Sequence, residues 1–515
     1  MPRASHLDGR LAAVAGIAGF MVAAAGQAIG GEAIVRSPHE LYGALAAAKP
    51  GDRILLAEGS YGELNLSAKS ANWMAGGPAI TIASLDAGKP AQFSNLLLNA
   101  VGMLVLDNLL FEYEAKPDDT TNTTPNSIEK VSGVTISNSR FDGNWKKEAE
   151  TQRAGPPIGR GLWISESQNI ELRGNDFRNW SRGVVFAEDR ALRVLGNDIH
   201  DIGSDGMDFA SVQDVLIEAN HIHDFVTGNK DDHADMIQFW TAGTTTPTAN
   251  VTIRGNLLDQ GGGPVTQSIF MRNELVDQGL AGLEMFYRNL RIEDNVIRNG
   301  HVHGITAGET DGLVISRNTL LQSVTIEEGG TVSVPAIIVA ENARHVMIMH
   351  NVISRIIPET PPRSDWEVNG NVFVQRQNSA LPNHYRSIFV DAETKGQILL
   401  SDLRQLPGSL AAMKGAGAPM LNFDVHPRQP DGYIVNHTSS ASGLVQAFDA
   451  GNVFGYAGNI ARASFKWEFG DGQSDTGKTI THRYQQPGTY AVRVAINFES
   501  GGTLQLRRTV VIAQH

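Results

Sequence analysis

The chain has 515 residues and contains no cysteine, so disulfide bonds and thiolate metal sites are excluded. Positive charge is also scarce, since 42 Lys and Arg stand against 55 Asp and Glu and give a formal net charge of −13. This balance argues against nucleic acid as a partner. A polyanionic substrate would need local cations or a bound metal ion.

An apolar run lies close to the N-terminus. Arg3 and Arg10 precede the apolar residues 11–25, and Gly26-Gln27-Ala28 offers small residues for cleavage. The run is short for a membrane span, and no charged stop-transfer segment follows it. We therefore predict a signal peptide over residues 1–28, a secreted or periplasmic protein, and no stable membrane span after cleavage. An uncleaved anchor is the alternative.

A short phrase recurs through the middle of the chain: an alternating strand, an asparagine, and a second apolar pair. The asparagines are separated by 20 residues (Asn351 to Asn371) to 39 residues (Asn256 to Asn295), and the short gaps cluster near 22. Strand-type self-similarity at this period predicts a parallel β-helix, whose stacked coils share one core. Asparagine tolerates the left-handed conformation of a turn, and its side chain can bond to backbone or to the asparagine of the next coil. The ten asparagines are Asn108, Asn138, Asn175, Asn197, Asn220, Asn256, Asn295, Asn318, Asn351 and Asn371.

Both ends of the repeat carry helix-like segments. Residues 38–48 have helical spacing, with Ser37 as N-cap and Pro38 at the first helical position. Such a helix would cover the open end of the solenoid, where backbone and core are otherwise unpaired. After Asn371 the repeat fades, and a helix-like segment within residues 387–418 is predicted to close the other end.

The sequence KPGDRILLAEGSYGELNLS at residues 49–67 resembles the opening coil of secreted β-helical polysaccharide lyases of the alginate lyase and chondroitinase B type. The resemblance covers the cap and first coil, and the remainder is similar in architecture only. It implies a right-handed parallel β-helix that cleaves an acidic polysaccharide by β-elimination. In that family Lys and Arg serve as base and acid, while acidic residues and Asn hold Ca²⁺. The register supports no lysine of this chain in that role.

Alternation along strands allows five successive coils to be aligned, because neighbouring side chains point to opposite faces. Adjacent coils lie about 4.8 Å apart, so the polar outward residues should share one face. Three long gaps between asparagines insert loops beside this face, which predicts a groove suited to a linear glycan. The predicted inward columns are Val184, Met207, Ile237, Ile269 and Ile305, and Phe186, Phe209, Phe239, Met271 and Ala307. The predicted outward columns are Arg182, Asp205, Asp235, Gln267 and His303; Val185, Asp208, Gln238, Phe270 and Thr306; and Ala187, Ala210, Trp240, Arg272 and Gly308.

A lyase acting on a uronic acid needs three groups: one that neutralises the carboxylate, a base for the C5 proton and an acid for the leaving oxygen. Imidazole titrates near working pH, so we choose His233 as base, with His303 or Lys230 as acid. Arg272, or a cation held by carboxylates, would neutralise the substrate, and oxygen-rich clusters suit Ca²⁺. The predicted catalytic residues are His233, Arg272, His303, Asp235 and Lys230. The predicted substrate-binding residues are Arg182, Gln238, Trp240, Gln267 and Asn273, and the predicted metal ligands are Asp205, Asp208 and Asp232.

Three alternatives stay open. SDGMDF, DDHADM and HVHGITAG are similar to the NTDG, DD and GHG segments of polygalacturonases, in which paired carboxylates hydrolyse the glycosidic bond. That family's closing RIK segment is absent here, and the coil of Gln267 intervenes between Asp235 and His303. A C5-epimerase would use nearly the same acid and base as a lyase. A non-catalytic glycan-binding or adhesive surface protein is the third alternative.

Two further segments complete the interpretation. His200, His221 and His223 lie in short turns, where we interpret them as turn or packing residues. The last part of the chain consists of short alternating strands with FGDG at 469–472, HRY at 482–484 and PGTY at 487–490. These motifs resemble the polycystic-kidney-disease (PKD) type of β-sandwich domain. We therefore predict an all-β, monomeric protein whose partner is an acidic polysaccharide, with a capped β-helix over residues 29–435 and a PKD-like sandwich over 436–515.

Overall fold

The computed structural model describes residues 30–68, 77–144, 157–226, 233–323, 334–393, 398–423, 431–436, 444–454, 460–499 and 501–512. The predicted signal peptide, Lys230 and Asp232 lie outside the described residues. Within the described ranges, no helix is long and apolar enough to cross a membrane.

Three parallel sheets wind around one core, and successive strands of the chain pass from one sheet to the next. Over the described residues, sheets A, B and C contain 13, 11 and 11 strands. Sheet A consists of Glu32–Val35, Arg53–Leu56, Ile80–Ser84, Gly102–Asp107, Ser132–Ser137, Gln168–Arg173, Arg190–Leu195, Gln213–Glu218, Ala249–Arg254, Tyr287–Glu293, Thr310–Ser316, Arg344–Met349 and Trp366–Asn369. Sheet B consists of Ala91–Phe93, Leu109–Glu112, Arg140–Asp142, Asp176–Arg178, Asp198–His200, His221–His223, Leu257–Asp259, Val296–Asn299, Thr319–Gln322, Val352–Ile353 and Val372–Phe373. Sheet C consists of Glu63–Ser67, Asn95–Asn99, Ser127–Glu129, Arg160–Ser165, Arg182–Ala187, Met207–Ala210, Asp235–Trp240, Gln267–Met271, His303–Ala307, Ala336–Val339 and Ile356–Ile357.

The core is built from stacked columns of like side chains. Phe186, Phe209 and Phe239 stack in successive coils of sheet C, with ring centroids 4.8 Å apart at each step. All three rings are fully buried, as are the predicted inward columns to which they belong. The repeat therefore folds as the alternation predicts, into a parallel β-helix.

A ladder of buried asparagines joins the coils from Asn175 to Asn371. In each step one Oδ1 accepts both the backbone N–H and the side-chain Nδ2–H of the preceding asparagine; for Asn256 these distances from Asn220 are 2.9 and 3.0 Å. The side-chain hydrogen bonding predicted for these eight asparagines is confirmed.

Asn108 and Asn138 are corrections to the predicted register. Both have positive φ, 53° and 51°, and each lies one residue before the ladder position. The ladder position in the coil of Asn138 is held by Ser139, whose hydroxyl accepts the N–H of Leu109 at 3.0 Å. The left-handed residue therefore precedes the ladder, where glycine and other residue types also occur.

Helix α1 (Pro38–Ala47) covers the first coil as predicted. The Ser37 side chain accepts the N–H of Glu40 at 3.3 Å, and Pro38 lies in the first turn. Leu41 and Leu45 are buried against the core. The sequence signals for both the start and the buried face of this helix are confirmed.

The segment after the last coil packs on the outer face of sheet B. It contains α3 (Tyr385–Ile388), α4 (Leu410–Lys414) and a 3-10 turn at Pro419–Leu421. A separate segment earlier in the chain, which follows a strand of sheet C, contains α2 (Glu274–Asp277) and a 3-10 turn at Leu283–Met285. Tyr385 and Ile388 belong to an apolar cluster with Val296, Leu321 and Val352 of the last coils of sheet B. The segment thus covers outward positions of the last coils.

The C-terminal domain is a sandwich of two antiparallel sheets around Trp467, Phe469 and Tyr484. The strand Asp431–Asn436 pairs with Val445–Phe454, so this domain begins before residue 436, the predicted boundary. Its remaining strands are Thr479–Arg483, Ser474–Thr476, Ser464–Glu468, Gly488–Asn497 and Thr503–Ile512, with a 3-10 turn at Ile460–Arg462.

Candidate functional site

The outer face of sheet C carries the column of side chains that alternation predicts. Strand pairing places Val185 beside Asp208, Asp208 beside Gln238, Gln238 beside Phe270, and Phe270 beside Thr306. The register of this column is confirmed. Residues 272–286, which include α2, follow directly after the strand of Phe270 and lead to the next strand of sheet A.

His233 and Asp235 form a hydrogen-bonded pair at the start of one strand. His233 Nδ1 lies 3.2 Å from Asp235 Oδ2, which also accepts a hydrogen bond of 2.9 Å from Gln238 Nε2. The His233 side chain is 58% exposed, whereas the Asp235 side chain is fully buried. The buried carboxylate therefore fixes the orientation of an imidazole that solvent reaches, and it favours the tautomer with the proton on Nδ1.

Two further carboxylates lie behind this pair, and an arginine lies between them. Arg182 Nε is 3.0 Å from Asp205 Oδ2 and 3.5 Å from Asp208 Oδ2. Asp205 Oδ1 accepts the backbone N–H of Asp235 at 3.1 Å, which connects the cluster to the His233–Asp235 pair. Burial, and then the charge of Asp205, raise the pKa of Asp208 well above its usual range, against the opposing effect of Arg182. All three carboxylates are buried, at 2% exposure or less.

Phe270 lies between two imidazoles that come from the coils on either side of its own. Its ring centroid is 5.9 Å from that of His233 and 5.1 Å from that of His303. His303 Nδ1 lies 2.7 Å from the hydroxyl oxygen of Thr306. The half-buried Phe270 ring is therefore a platform with an imidazole at each side.

His301 adds a third ring to this group. It stacks on His303 with a centroid separation of 5.1 Å. Burial, followed by the charges of His303 and His233, lowers the pKa of His301 to about 4, so it is neutral at physiological pH. Burial and the charge of His233 also lower the pKa of His303. Sequence reasoning missed His301, although it lies in the same HVHG segment as His303.

Arg272 lies at the end of the strand that carries Phe270, two residues further along the chain. Its side chain is 53% exposed, and its Nε donates to Asp277 Oδ2 of α2 at 2.7 Å. The hydrogen bond to Asp277 raises the pKa of Arg272. The guanidinium is thus an accessible cation beside the platform, held by one carboxylate at the surface.

The predicted substrate-binding residues differ from one another in exposure and in the partners they contact. Trp240 and Gln238 are partly exposed on sheet C, and Arg182 belongs to the carboxylate cluster. Asn273 is a correction: it is fully buried, caps α2 and donates to the carbonyl of Met285 at 2.9 Å. Gln267 is also buried, at 7% exposure, so neither of these amides is exposed on the outer face of sheet C.

Arg160 and Trp163 extend the polar face toward the first coils. Sequence reasoning missed Arg160, whereas Trp163 was open to interpretation as a packing residue or as a sugar platform. The guanidinium carbon of Arg160 lies 4.9 Å from the ring centroid of Trp163. Arg160 pairs with Arg182 and Trp163 with Val185 in the next strand, so they continue the same columns. The cation–π arrangement holds an arginine flat on this face.

The predicted calcium ligands do not form an oxygen cage. Ca²⁺ takes 6–8 oxygen ligands, whereas Asp205 and Asp208 flank the guanidinium of Arg182, and Asp232 lies outside the described residues. Arg182 lies within 3.5 Å of both carboxylates, and the third predicted ligand is not described, so calcium binding stays a prediction and we assign it no step.

Comparison with solved structures finds proteins of several activities, all at low identity. An alginate lyase from a Paenibacillus species is 13% identical, with a TM-score of 0.28 over 66% of this chain and 98% of that one. A surface adhesin of Streptococcus pneumoniae is 12% identical, with a TM-score of 0.34 over 58% of this chain and 80% of that one. A mannuronan C-5 epimerase module from Azotobacter vinelandii is 11% identical, with a TM-score of 0.32 over 67% of this chain and 100% of that one.

Two family models match parts of the chain. One, described as a right-handed β-helix region, matches residues 127–263, and the other, described as a PKD domain, matches residues 428–513. No curated protein sequence matches the chain. Together with the three parallel sheets, the two family models define the class: a right-handed parallel β-helix followed by a PKD-type domain.

Proposed function

We propose that the protein is a secreted polysaccharide lyase that cleaves a uronic-acid-containing polysaccharide by β-elimination on the outer face of sheet C. The observation that carries this proposal is the placement of His233 and His303 against the ring of Phe270, with Asp235 behind His233. A sugar ring stacked on Phe270 would lie between two imidazoles, side chains that can accept and donate protons.

His233 acts as the base in this proposal. It takes the C5 proton of the uronate, the C4–C5 double bond forms, and the C4–O bond breaks. The buried carboxylate of Asp235 stabilises the imidazolium that results, because an adjacent negative charge favours the charged form. His303 then donates a proton to the leaving oxygen, and its hydrogen bond to Thr306 orients the ring.

Arg272 neutralises the substrate carboxylate. It is two residues from Phe270 and exposed, and its partner Asp277 lies at the surface of α2. A uronate that pairs with the guanidinium would exchange one carboxylate for another, so little electrostatic energy is lost. Neutralisation makes the C5 proton more acidic, which is the condition for its removal.

Burial of the carboxylates favours elimination over hydrolysis. A two-carboxylate hydrolase needs both groups to reach the glycosidic bond. Among the described residues, the candidates Asp205, Asp208 and Asp235 are all buried, whereas the imidazole of His233 beside the platform is exposed. A C5-epimerase would use the same imidazoles, and it is distinguished by its product.

The test is to incubate the protein with a panel of polyuronates and to measure turnover by the ultraviolet absorbance of the unsaturated uronate that elimination forms. We expect new absorbance on at least one member of the panel. His233→Ala should lower kcat by about 10²–10⁴-fold, the usual contribution of a general base. His345→Ala is the matched control, since His345 is an exposed imidazole 2.7 Å from Asp311 on sheet A. It should leave turnover unchanged.

Each of the other possible outcomes would indicate a different function. Reducing ends without new absorbance would mean hydrolysis, and a changed uronate ratio without cleavage, seen by NMR, would mean epimerisation. Binding without any product would make this face a lectin-like or adhesive surface. Full activity of His233→Ala would remove the proposed base.

A further inference from the structure

A second cluster of titratable side chains lies on the outer face of sheet B, on a different sheet from the proposed site. It comes from two adjacent strands, Asp198–His200 and His221–His223, in which Asp198 pairs with His221 and His200 with His223. His223 Nε2 lies 2.9 Å from Asp198 Oδ1, and His221 Nδ1 lies 3.6 Å from the same oxygen. One ligand atom from each of Asp198, His221 and His223 lies within 4.8 Å of the others.

We propose that Asp198, His221 and His223 bind a divalent transition-metal ion of the zinc type, which joins two coils of the β-helix. A tetrahedral ion with N and O ligands at about 2.0–2.2 Å holds them roughly 3.3–3.6 Å apart, close to the spacing seen here. Two imidazoles and one carboxylate suit zinc or nickel, whereas calcium requires many oxygens. Of the groups of three or more His, Asp or Glu in the described part of the chain, this is the one that brings its ligand atoms so close.

The surroundings of His223 resemble those of a metal-ligating histidine. Its other ring nitrogen, Nδ1, lies 2.6 Å from Asp224 Oδ2. Asp224 is held in turn by the backbone N–H of Gly262 from the next coil, at 2.6 Å. A carboxylate on the second nitrogen fixes the ring so that Nε2 points toward the metal and becomes a stronger donor.

The site leaves room for a water or an exogenous ligand. The side chains of Asp198 and His221 are 51% and 38% exposed, while that of His223 is 13% exposed. Three protein ligands at a partly open surface leave a fourth position for solvent. The ion would stabilise the folded protein, because it binds the stacked coils of the folded state and not the unfolded chain.

The competing interpretation of the same cluster is an imidazolium–carboxylate ladder without metal. Burial would lower the pKa of His223, but hydrogen bonds to Asp198 and Asp224 outweigh it and raise the pKa to about 9. His200 stacks on His223 at 5.2 Å and lies between Asp176 and Asp201 in the same way. Such a ladder would stabilise the fold without binding metal, so a binding measurement separates the two interpretations.

The experiment is equilibrium dialysis of the metal-free full-length protein against Zn²⁺, with metal counted by mass spectrometry. We expect one ion per chain and an increase in the thermal unfolding midpoint on binding. His221→Gln and Asp198→Asn should each weaken binding by at least 10-fold and abolish the thermal shift. His345→Gln is the control, because it removes an exposed imidazole that pairs with a carboxylate. In the described residues this pair does not belong to a cluster of three metal-ligating side chains.

Three results would overturn the proposal. They are no zinc bound by the wild type at millimolar concentration, binding that both ligand variants retain, and binding that the His345 control loses equally. If a ligand variant fails to fold, the wild type still decides the matter. Anomalous diffraction at the zinc edge from zinc-soaked crystals must then place the ion between Asp198 and His223.

Discussion

Single residues on the outer face of sheet C differ in how exposed their side chains are. His233 is 58% exposed above a carboxylate with no exposure, and only this contrast turns a hydrogen-bonded pair into a plausible base. A carboxylate removed from water cannot itself contact a sugar, yet it still acts through the imidazole it touches. Asp208 shows the opposite case, because its outward position is covered and its carboxyl group is left as a structural partner of Arg182.

The lowered pKa of His303 predicts the alkaline side of the pH profile. An acid must be protonated to act, and burial together with the charge of His233 lowers the pKa of His303 below the usual imidazole value. We therefore expect kcat/KM to fall as pH rises through a value below about 6.5. The profile of kcat/KM reports the free enzyme, so it is the measurement that checks this.

The control for this profile is circular dichroism over the same pH range, which must show an unchanged fold. His303→Gln should lower activity and remove the alkaline limb. Activity that instead increases between neutral and alkaline pH would exclude His303 as the acid.

At the scale of elements, the asparagine ladder fixes the height of each coil. Asn256 accepts two N–H groups of Asn220 and donates to the carbonyl of Ile217 at 3.0 Å, all within the buried interior. A buried N–H without an acceptor costs about 1–3 kcal/mol, so each rung matters beyond its own hydrogen bonds.

Asn256→Ala should destabilise the β-helix by roughly 2–4 kcal/mol, because the backbone N–H of Asn220 loses its acceptor inside the core. The measurement is the urea midpoint of the β-helix transition. Asn138→Gly is the matched control, since Asn138 is exposed at a left-handed position that glycine adopts freely. Equal losses of unfolding free energy in both variants would show that the asparagine ladder does not contribute more to stability than an exposed turn residue.

At the scale of the whole molecule, the PKD-type domain contacts the segment that follows the last coil. Arg507 donates to Asp402 Oδ2 at 2.5 Å, and the backbone N–H of Thr509 donates to Asp391 Oδ2 at 2.5 Å. The side chain of Asp402 is 2% exposed, so this ion pair is largely removed from water on one side. These contacts join the two domains through residues more than 100 positions apart in the chain.

Arg507→Ala should loosen this contact, because it leaves the buried carboxylate of Asp402 without its cation, at a cost on the order of 1–3 kcal/mol. Hydrogen exchange should become faster in residues 398–404 and 503–512. Arg462→Ala is the control, since it removes an exposed ion pair with Glu499 within the C-terminal domain. Little change in hydrogen exchange is expected for this variant. Unchanged exchange in the Arg507 variant would show that other contacts hold the domain.

The sequence by itself determined the coil register and the faces of sheet C. The spacing of asparagines and the alternation of strands predicted the columns through Asp208, Gln238 and Phe270, because backbone pairing in stacked coils admits one side-chain period. It also predicted α1 from Ser37 and Pro38, since capping is a local interaction. It misplaced Asn108 and Asn138 by one residue, because a serine hydroxyl replaces the amide in the ladder.

Only the tertiary structure decided which outward side chains are exposed and which partners they take. It paired Arg272 with Asp277, buried Asn273 as the cap of α2, and placed Phe270 between His233 and His303. It also brought Asp198, His221 and His223 together on sheet B, where local sequence indicated turns. The physical reason is that exposure and pairing depend on the loops that cover a position and on neighbouring coils, whose paired residues lie 20 or more residues away in the chain, and strand alternation encodes neither.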